Sequence, residues 1–196
     1  MLRTERDGRV ATLWLDHPPI NLLDLDLMVA IDGATAELAA DEAISVVVLR
    51  SAVPGWFIAH ADVGLLLGLD PATAGPPPEG LGFFHVMVER LRTMPKLTIA
   101  VIEGVARGGG SELALACDVR IASTAAVLGQ PEVALGILPG GGGTQRLARL
   151  LGRARALEAV LGCDDVDGAT AERWGWVNRA LPPAEVEPFV DRLARR

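Results

Sequence analysis

Three stretches of this chain repeat one order of parts, and that repetition restricts the fold more than any other feature. VVVLRSAVPGWFIAHADVGLL (46–66) and LTIAVIEGVARGGGSELALA (97–116) each read as a strand, a turn, a short strand, a small-residue loop and a helix. VRIASTAAVLGQPEVALG (119–136) begins the same way. The first strand of each unit is a run of apolar, largely β-branched residues bounded by polar residues, glycine or proline, the pattern of a buried strand. The spacing is too uneven for a solenoid. It predicts stacked β-β-α turns of chain whose loops emerge on one side.

The remaining elements fit around these units. GRVATLWL (8–15) reads as a further strand, and LDLMVAIDGATAELAA (25–40) carries helical spacing of Leu, Val, Ile and Ala despite Gly33. GFFHVMVERLRTM (82–94) is an amphipathic helix that Pro95 stops. TQRLARLLG, RARALEAVLG and TAERWG follow Gly143 as successive short helices. DPATAGPPPEG (70–80) can be neither helix nor strand and reads as a flexible surface loop. At 196 residues, half of them hydrophobic, the chain is long enough for a proper core. We divide it into a β-β-α core with the site, 1–150, and a C-terminal helical segment, 151–196.

Charge and composition exclude several partners. A net charge of −7 without basic runs disfavours nucleic acid and anionic membrane surfaces. The absence of Tyr and scarcity of other aromatics disfavour a base-stacking platform. No uncharged apolar run reaches the roughly 18 residues of a spanning helix. The polar start MLRTERDGRV is no signal peptide, and two distant cysteines, Cys117 and Cys163, fit a reducing cytoplasm. His17, His60 and His85 form no metal-ligand spacing, so no metal is expected.

Two glycine-rich loops, ARGGGSE (106–112) and LPGGGGTQRL (138–147), invite a nucleotide reading and fail it. No GK[ST] follows either, GxGxxG occurs nowhere, and Leu113 stands where a nucleophile elbow needs glycine. A helix N-terminus carries unpaired N–H groups and partial positive charge, so a glycine-led one can hold a developing anion. Two carboxylates then stand in unusual settings. Glu112 is in the first turn of the glycine-led helix, and Glu132 follows Pro131 in a small-residue loop. Each also has a structural reading, because a first-turn Glu complements the helix dipole and Pro-Glu pairs often start helices. Spacing alone does not bring the two together.

GVARGGGSELALACDVRIA (104–122), followed by GQPEVALGILPGGGGTQRLARLLG (129–152), strongly resembles the enoyl-CoA hydratase/isomerase (crotonase) superfamily. FIAHADV (57–63) and GWVNRALP (175–182) resemble its other signature segments, so the likeness covers nearly the whole chain. The resemblance implies an α/β crotonase-like ββα spiral, here with a shortened C-terminal helical region, assembled as a trimer or a dimer of trimers. It implies an acyl-CoA substrate and no separate cofactor, coenzyme A being part of that substrate. By motif position, the backbone N–H groups of Ala61 and Gly109 would stabilise a thioester enolate. Ala59, His60, Asp62, Gly108, Gly110, Pro139 and Gly140 would surround the substrate.

Hydratases of the family carry two glutamates, and Glu112 and Glu132 match them. The implied reaction is reversible addition of water across the 2,3 double bond of an enoyl-CoA. Glu132 would deliver a proton to C2 while Glu112 orients and activates the water. Isomerase, decarboxylase or thioesterase chemistry, or acyl-CoA binding without turnover, are the alternatives. Three departures stand out: His60 replaces a usual Gly, Gly64 a common Lys, and only PAEVEPFVDRLARR follows LPP. A residue replacing glycine could need positive φ, which His tolerates better than most. Asp118, Trp174 and Trp176 read as structural, and Arg146 and Arg149 as a solvated or interface face.

Overall fold

A computed structural model describes residues 1–67 and 82–196. The expected loop over 70–80 lies outside the described residues. In chain order the strands are β1 (Leu2–Asp7), β2 (Val10–Leu15), β3 (Val46–Ser51), β4 (Trp56–Ile58), β5 (Leu97–Ile102), β6 (Val105–Arg107), β7 (Val119–Ser123), β8 (Val127–Gly129), β9 (Val166–Asp167) and β10 (Arg179–Leu181). The helices are α1 (Leu25–Ala40), α2 (Val63–Leu67), α3 (Phe83–Thr93), α4 (Gly109–Ala116), α5 (Gly143–Leu151), α6 (Arg153–Gly162), α7 (Gly168–Trp174) and α8 (Pro183–Ala194). One 3-10 turn, Glu132–Leu135, lies between β8 and α5.

The repeated units of the sequence are the units of the architecture. In each, the longer strand enters a six-stranded sheet of order β1-β2-β3-β5-β7-β10 and the short strand a four-stranded sheet of order β4-β6-β8-β9. Thus β3-β4-α2, β5-β6-α4 and β7-β8 with the 3-10 turn are successive ββα turns, with β3, β5 and β7 parallel in one sheet and β4, β6 and β8 parallel in the other. This is the crotonase-type ββα spiral.

Near-continuous apolar runs are required because the large sheet is covered on both faces. Val46, Val48, Ile99, Val101 and Ile121 pack against Val186, Val190 and Ala194 of α8. Val47, Leu49, Ala100, Ile102 and Ala122, one residue out of phase, face the main core with Phe57, Ile58, Leu113 and Trp176. Glycine sets how closely the layers approach. A Cβ on Gly110 would lie 2.5 Å from the Ile58 carbonyl oxygen, so α4 rests directly on β4.

The polar N-terminus forms β1, an exposed strand antiparallel to β2 across a turn with Gly8 at φ +57°. Residues 151–196 are not purely helical. They supply β9 to the small sheet and β10 to the large one. Asp118 is structural: its Oδ2 accepts from both the backbone N–H and the hydroxyl of Thr98, each at 2.8 Å. Trp176 is buried in the core and Trp174 packs against it. No helix among the described residues is long and apolar enough to cross a membrane.

Candidate active site

The glycine triplet turns β6 into α4. Gly108 adopts φ +51°, ψ −123°, a conformation glycine reaches without steric cost. Its N–H donates to the Gly129 carbonyl at 3.0 Å, and its carbonyl accepts the Glu112 N–H at 2.9 Å. In a trans peptide the N–H points opposite to the C=O. With the Gly108 carbonyl directed along α4, the Gly109 N–H of the same peptide points out of the helix N-terminus.

The same reasoning orients the Ala61 N–H. Ala61 forms an isolated parallel bridge with Leu23, in which the Leu23 N–H donates to the His60 carbonyl and the Asp62 N–H donates to the Leu23 carbonyl, both at 3.0 Å. The His60 carbonyl is therefore turned to Leu23 and the Ala61 N–H of that peptide to the other side. A Cβ on Gly109 would sit 3.0 Å from the Ala61 Cβ and 3.5 Å from the Ala61 N, so the two loops meet. Neither N–H donates to another backbone group among the described residues. Ala61, Gly108 and Gly109 line a cavity of about 310 Å³ with Glu132 and the apolar side chains of the 3-10 turn.

Glu132 opens that turn and is 8% exposed. Its Oε1 accepts from Gln130 Nε2 at 2.9 Å, and its buried Oε2 has no protein partner. A Cβ on Gly108 would lie 3.0 Å from Glu132 Oε1, so the carboxyl rests against the turn that supplies the Gly109 N–H. Burial raises the Glu132 pKa, partly offset by its own backbone N–H and by Gln130.

Glu112, 2% exposed on α4, accepts the Gly143 N–H at 2.7 Å on Oε1. Gly143 is the first residue of α5, so one buried carboxyl answers a free N–H at another helix's N-terminus. Burial pushes the Glu112 pKa from 4.5 up to about 7. The Gly143 N–H restrains the rise, the charge of Glu132 adds to it, and the Gly141 N–H and Arg146 restrain it further. Gln130, the donor to Glu132, also comes near the Glu112 carboxyl at Gly143. A Cβ on Gly143 would lie 3.0 Å from Glu112 Oε1 and 3.2 Å from Gln130 Nε2. Glu112, raised to about 7, keeps a proton in part of the population near neutrality, beside a second carboxyl whose pKa burial also shifts upward. Such a pair can donate and accept within one turnover, beside two N–H groups placed for an oxyanion.

The remaining expected substrate-binding residues separate. His60 lines the 310 Å³ cavity, exposed, with Nδ1 2.8 Å from the Ala61 carbonyl. A carbonyl only accepts, so Nδ1 carries the proton. His60 is not among the residues of positive φ, so the glycine-like conformation considered for this position is not adopted. Ala59, Asp62 and Gly110 are not brought to the cavity lining. Ala59 is buried at the end of β4 with its N–H on the Ile20 carbonyl. Asp62 Oδ1 accepts the Gly64 N–H at 2.8 Å, and Gly110 makes the contact with Ile58. Pro139 and Gly140 line a different cavity, of about 870 Å³, between α3 and the start of α5.

Four neighbours of the carboxyls escaped the sequence reading: Gln130, Gly141, Gly143 and Phe84. Gln130 stands two positions before Glu132, too short a signal to interpret alone. A Cβ on Gly141 would collide with Phe84 at 2.3 Å and approach Glu112 Oε2 to 2.7 Å, so Gly141 lets both pack against the glycine loop. Arg146 is no solvated face: its Nη1 donates to the Gly141 carbonyl at 2.6 Å and its Nη2 to Glu89 Oε1 at 2.7 Å. Among the described residues, no group of three or more His, Cys, Asp or Glu could hold a metal ion.

Two outward backbone donors from separate turns thus share a cavity with one buried carboxyl and lie near a second, an arrangement that can hold a developing anion and exchange protons. The comparisons with known proteins agree with that arrangement. The enoyl-CoA hydratase/isomerase family profile matches residues 5–195, and the chain belongs to that family. It is 37% identical over 194 residues to a crotonyl-CoA hydratase of Syntrophomonas wolfei, covering 98% of this chain and 73% of that protein. It is 35% identical to a short-chain-enoyl-CoA hydratase of Clostridium acetobutylicum, again covering 98% and 73%. Among solved structures, an enoyl-CoA hydratase from Bacillus anthracis superposes with a TM-score of 0.90 at 31% identity, covering 99% of this chain and 75% of that one.

Proposed function

We propose that this protein is a 2-enoyl-CoA hydratase, a lyase that adds water reversibly across the 2,3 double bond of an acyl-CoA thioester. The observation that carries the reading is the pairing of Glu112 and Glu132, two buried carboxyls with raised pKa values, beside the outward N–H groups of Ala61 and Gly109. The thioester oxygen takes both N–H groups as it gains negative charge. Losing one such donor costs about 2.7–4 kcal/mol of transition-state stabilisation. Water adds its oxygen to C3 and gives a proton to the ionised member of the pair while the protonated member delivers a proton to C2; with Glu132 as donor, its unpartnered Oε2 carries that proton and Glu112 takes the one from water. The pair ends with its proton on the other carboxyl and resets by exchange with solvent.

The cavity beside Glu132 is lined by Val63, Pro131, Ala134, Leu135 and Ile137, which suits an apolar acyl chain. The test is direct. Mixing with crotonyl-CoA removes the conjugated absorbance, and the product is the 3-hydroxyacyl-CoA. Glu132→Gln retains acyl-CoA binding and loses at least about 100-fold in kcat, within the range general acid–base catalysis supplies. Full activity in that variant, or a product other than the 3-hydroxyacyl-CoA, overturns the assignment. The same reading carries a homo-oligomer such as a trimer. Leu135, Leu138 and Leu161 stand 61%, 66% and 61% exposed, apolar surface that a further subunit would cover, and light scattering reports the state.

A further inference from the structure

Glu112 is held in place by a chain of contacts that begins on the far side of the glycine loop. The Gly142 carbonyl accepts the Arg146 and Gln145 N–H groups of the first turn of α5, at 2.9 and 3.2 Å. With that carbonyl tied to the helix, the Gly143 N–H of the same peptide points away from α5 and onto Glu112 Oε1 at 2.7 Å. Gly142 itself has φ +104°, so the turn depends on what restrains it from outside. The restraint is Arg146. Its guanidinium lies so close over Gly142 that a Cβ there would meet Nη1 at 2.1 Å. Nη1 grips the preceding carbonyl, that of Gly141, while Nη2 is anchored by Glu89 of α3. Glu89 in turn accepts from Arg92 Nε at 2.8 Å.

We propose that Arg146 is a positioning residue for the hydration reaction: by clamping the Gly141–Gly142 turn between α3 and α5, it aims the Gly143 N–H and fixes the Glu112 carboxyl. This inference rests on the hydratase reading for its kinetic consequence, though not for its structural one. Lysine cannot replace the clamp, since a single ammonium lacks the planar fork that reaches Gly141 and Glu89 together. The charged and titratable groups around this chain of contacts are Glu132 beside Glu112, Glu89, Arg92 and His85 on α3, and Arg149 on α5.

The test compares Arg146→Met, Arg146→Lys and Glu89→Gln with the parent protein. Readouts are kcat and KM on crotonyl-CoA against pH, and titration of the Glu112 carboxyl carbon by NMR in protein labelled at glutamate. In Arg146→Met, kcat near neutrality is expected to fall roughly 10- to 100-fold, the scale of a misplaced catalytic group, while KM moves little. The acid limb of the profile and the Glu112 titration both move to higher pH. Arg146→Lys restores part of the titration and little of kcat, and Glu89→Gln shifts both in the same direction by less. A folded Arg146→Met with unchanged kcat and titration overturns the proposal. If that variant does not fold, Arg146→Lys decides, and a parental kcat there overturns the proposal equally. A parent protein inactive on enoyl-CoA, with Glu112 titration still moved by Arg146→Met, leaves the clamp standing and removes the hydratase reading instead.

Discussion

Replacing Glu112 by Gln should stabilise the protein at alkaline pH and do little in mild acid. A carboxyl that titrates at 4.5 in the unfolded chain and about 7 in the fold binds its proton more tightly when folded. Between those values the folded state therefore holds more protons, and stability falls as pH rises from 4.5 through about 7. Integrating the two titrations, the ionised side chain lowers stability by roughly 3 kcal/mol near pH 8 and by less than roughly 1 kcal/mol near pH 5, relative to a neutral group. Gln keeps an oxygen for the Gly143 N–H and stays neutral throughout. The stability difference between Glu112→Gln and the parent should thus grow by roughly 2–3 kcal/mol from about pH 5 to about pH 8. Urea unfolding of both proteins at a series of pH values measures the difference directly, and every titration common to the two cancels. A difference that stays flat with pH, or shrinks as pH rises, refutes the claim that burial holds Glu112 near neutrality.

Two further substitutions test how the frame holds the donors. Gly110→Ala places a methyl 2.5 Å from the Ile58 carbonyl oxygen and should cost about 1–3 kcal/mol of stability, measured by denaturant unfolding. Asn21, buried at φ +49°, donates to the Leu15 and Phe57 carbonyls and the Ser51 hydroxyl and accepts the His17 N–H. Asn21→Ala leaves several of these unpaired and should cost at least about 2 kcal/mol, with a fall in kcat because Leu23, two residues on, orients the His60–Ala61 peptide.

How much of this was legible in the sequence follows from where each signal lies. The long strands and α1 announce themselves, because a strand buried on both faces must be a continuous apolar run and a packed helix must repeat its apolar residues. β1 does not, because LRTERD is an exposed edge strand whose side chains are not selected by a core. Only the Asp7-Gly8 pair, a hairpin signal, marks it. The site divides in the same way. Motif resemblance singled out Glu112, Glu132, Ala61 and Gly109, since unusual residues stand at fixed spacing in contiguous segments. Gln130 was illegible because a two-residue spacing from Glu132 carries no signal by itself, and Arg146 because its importance comes from a partner across the fold. Arg146 meets Glu89 only when α3 is laid beside α5, and charge alone made it look solvated.

The glycines repay a closer look, because three adjacent positions answer to three different constraints. Gly108 supplies a backbone conformation and leaves room for Glu132, Gly109 lets the Ala61 loop approach, and Gly110 lets α4 press on Ile58. None of these needs follows from the local sequence, which offered only a flexible entry to a helix. Together they produce something side chains could not: two N–H groups whose directions are fixed by carbonyls already spent elsewhere, on the Glu112 N–H and the Leu23 N–H. A donor aimed this way needs little reorganisation when charge develops on a substrate oxygen, which is why preorganised dipoles are effective. The carboxyls contribute the opposite property. Burial that raises the Glu112 pKa to about 7 destabilises the fold at high pH, and the same burial keeps a proton on that side chain near neutrality.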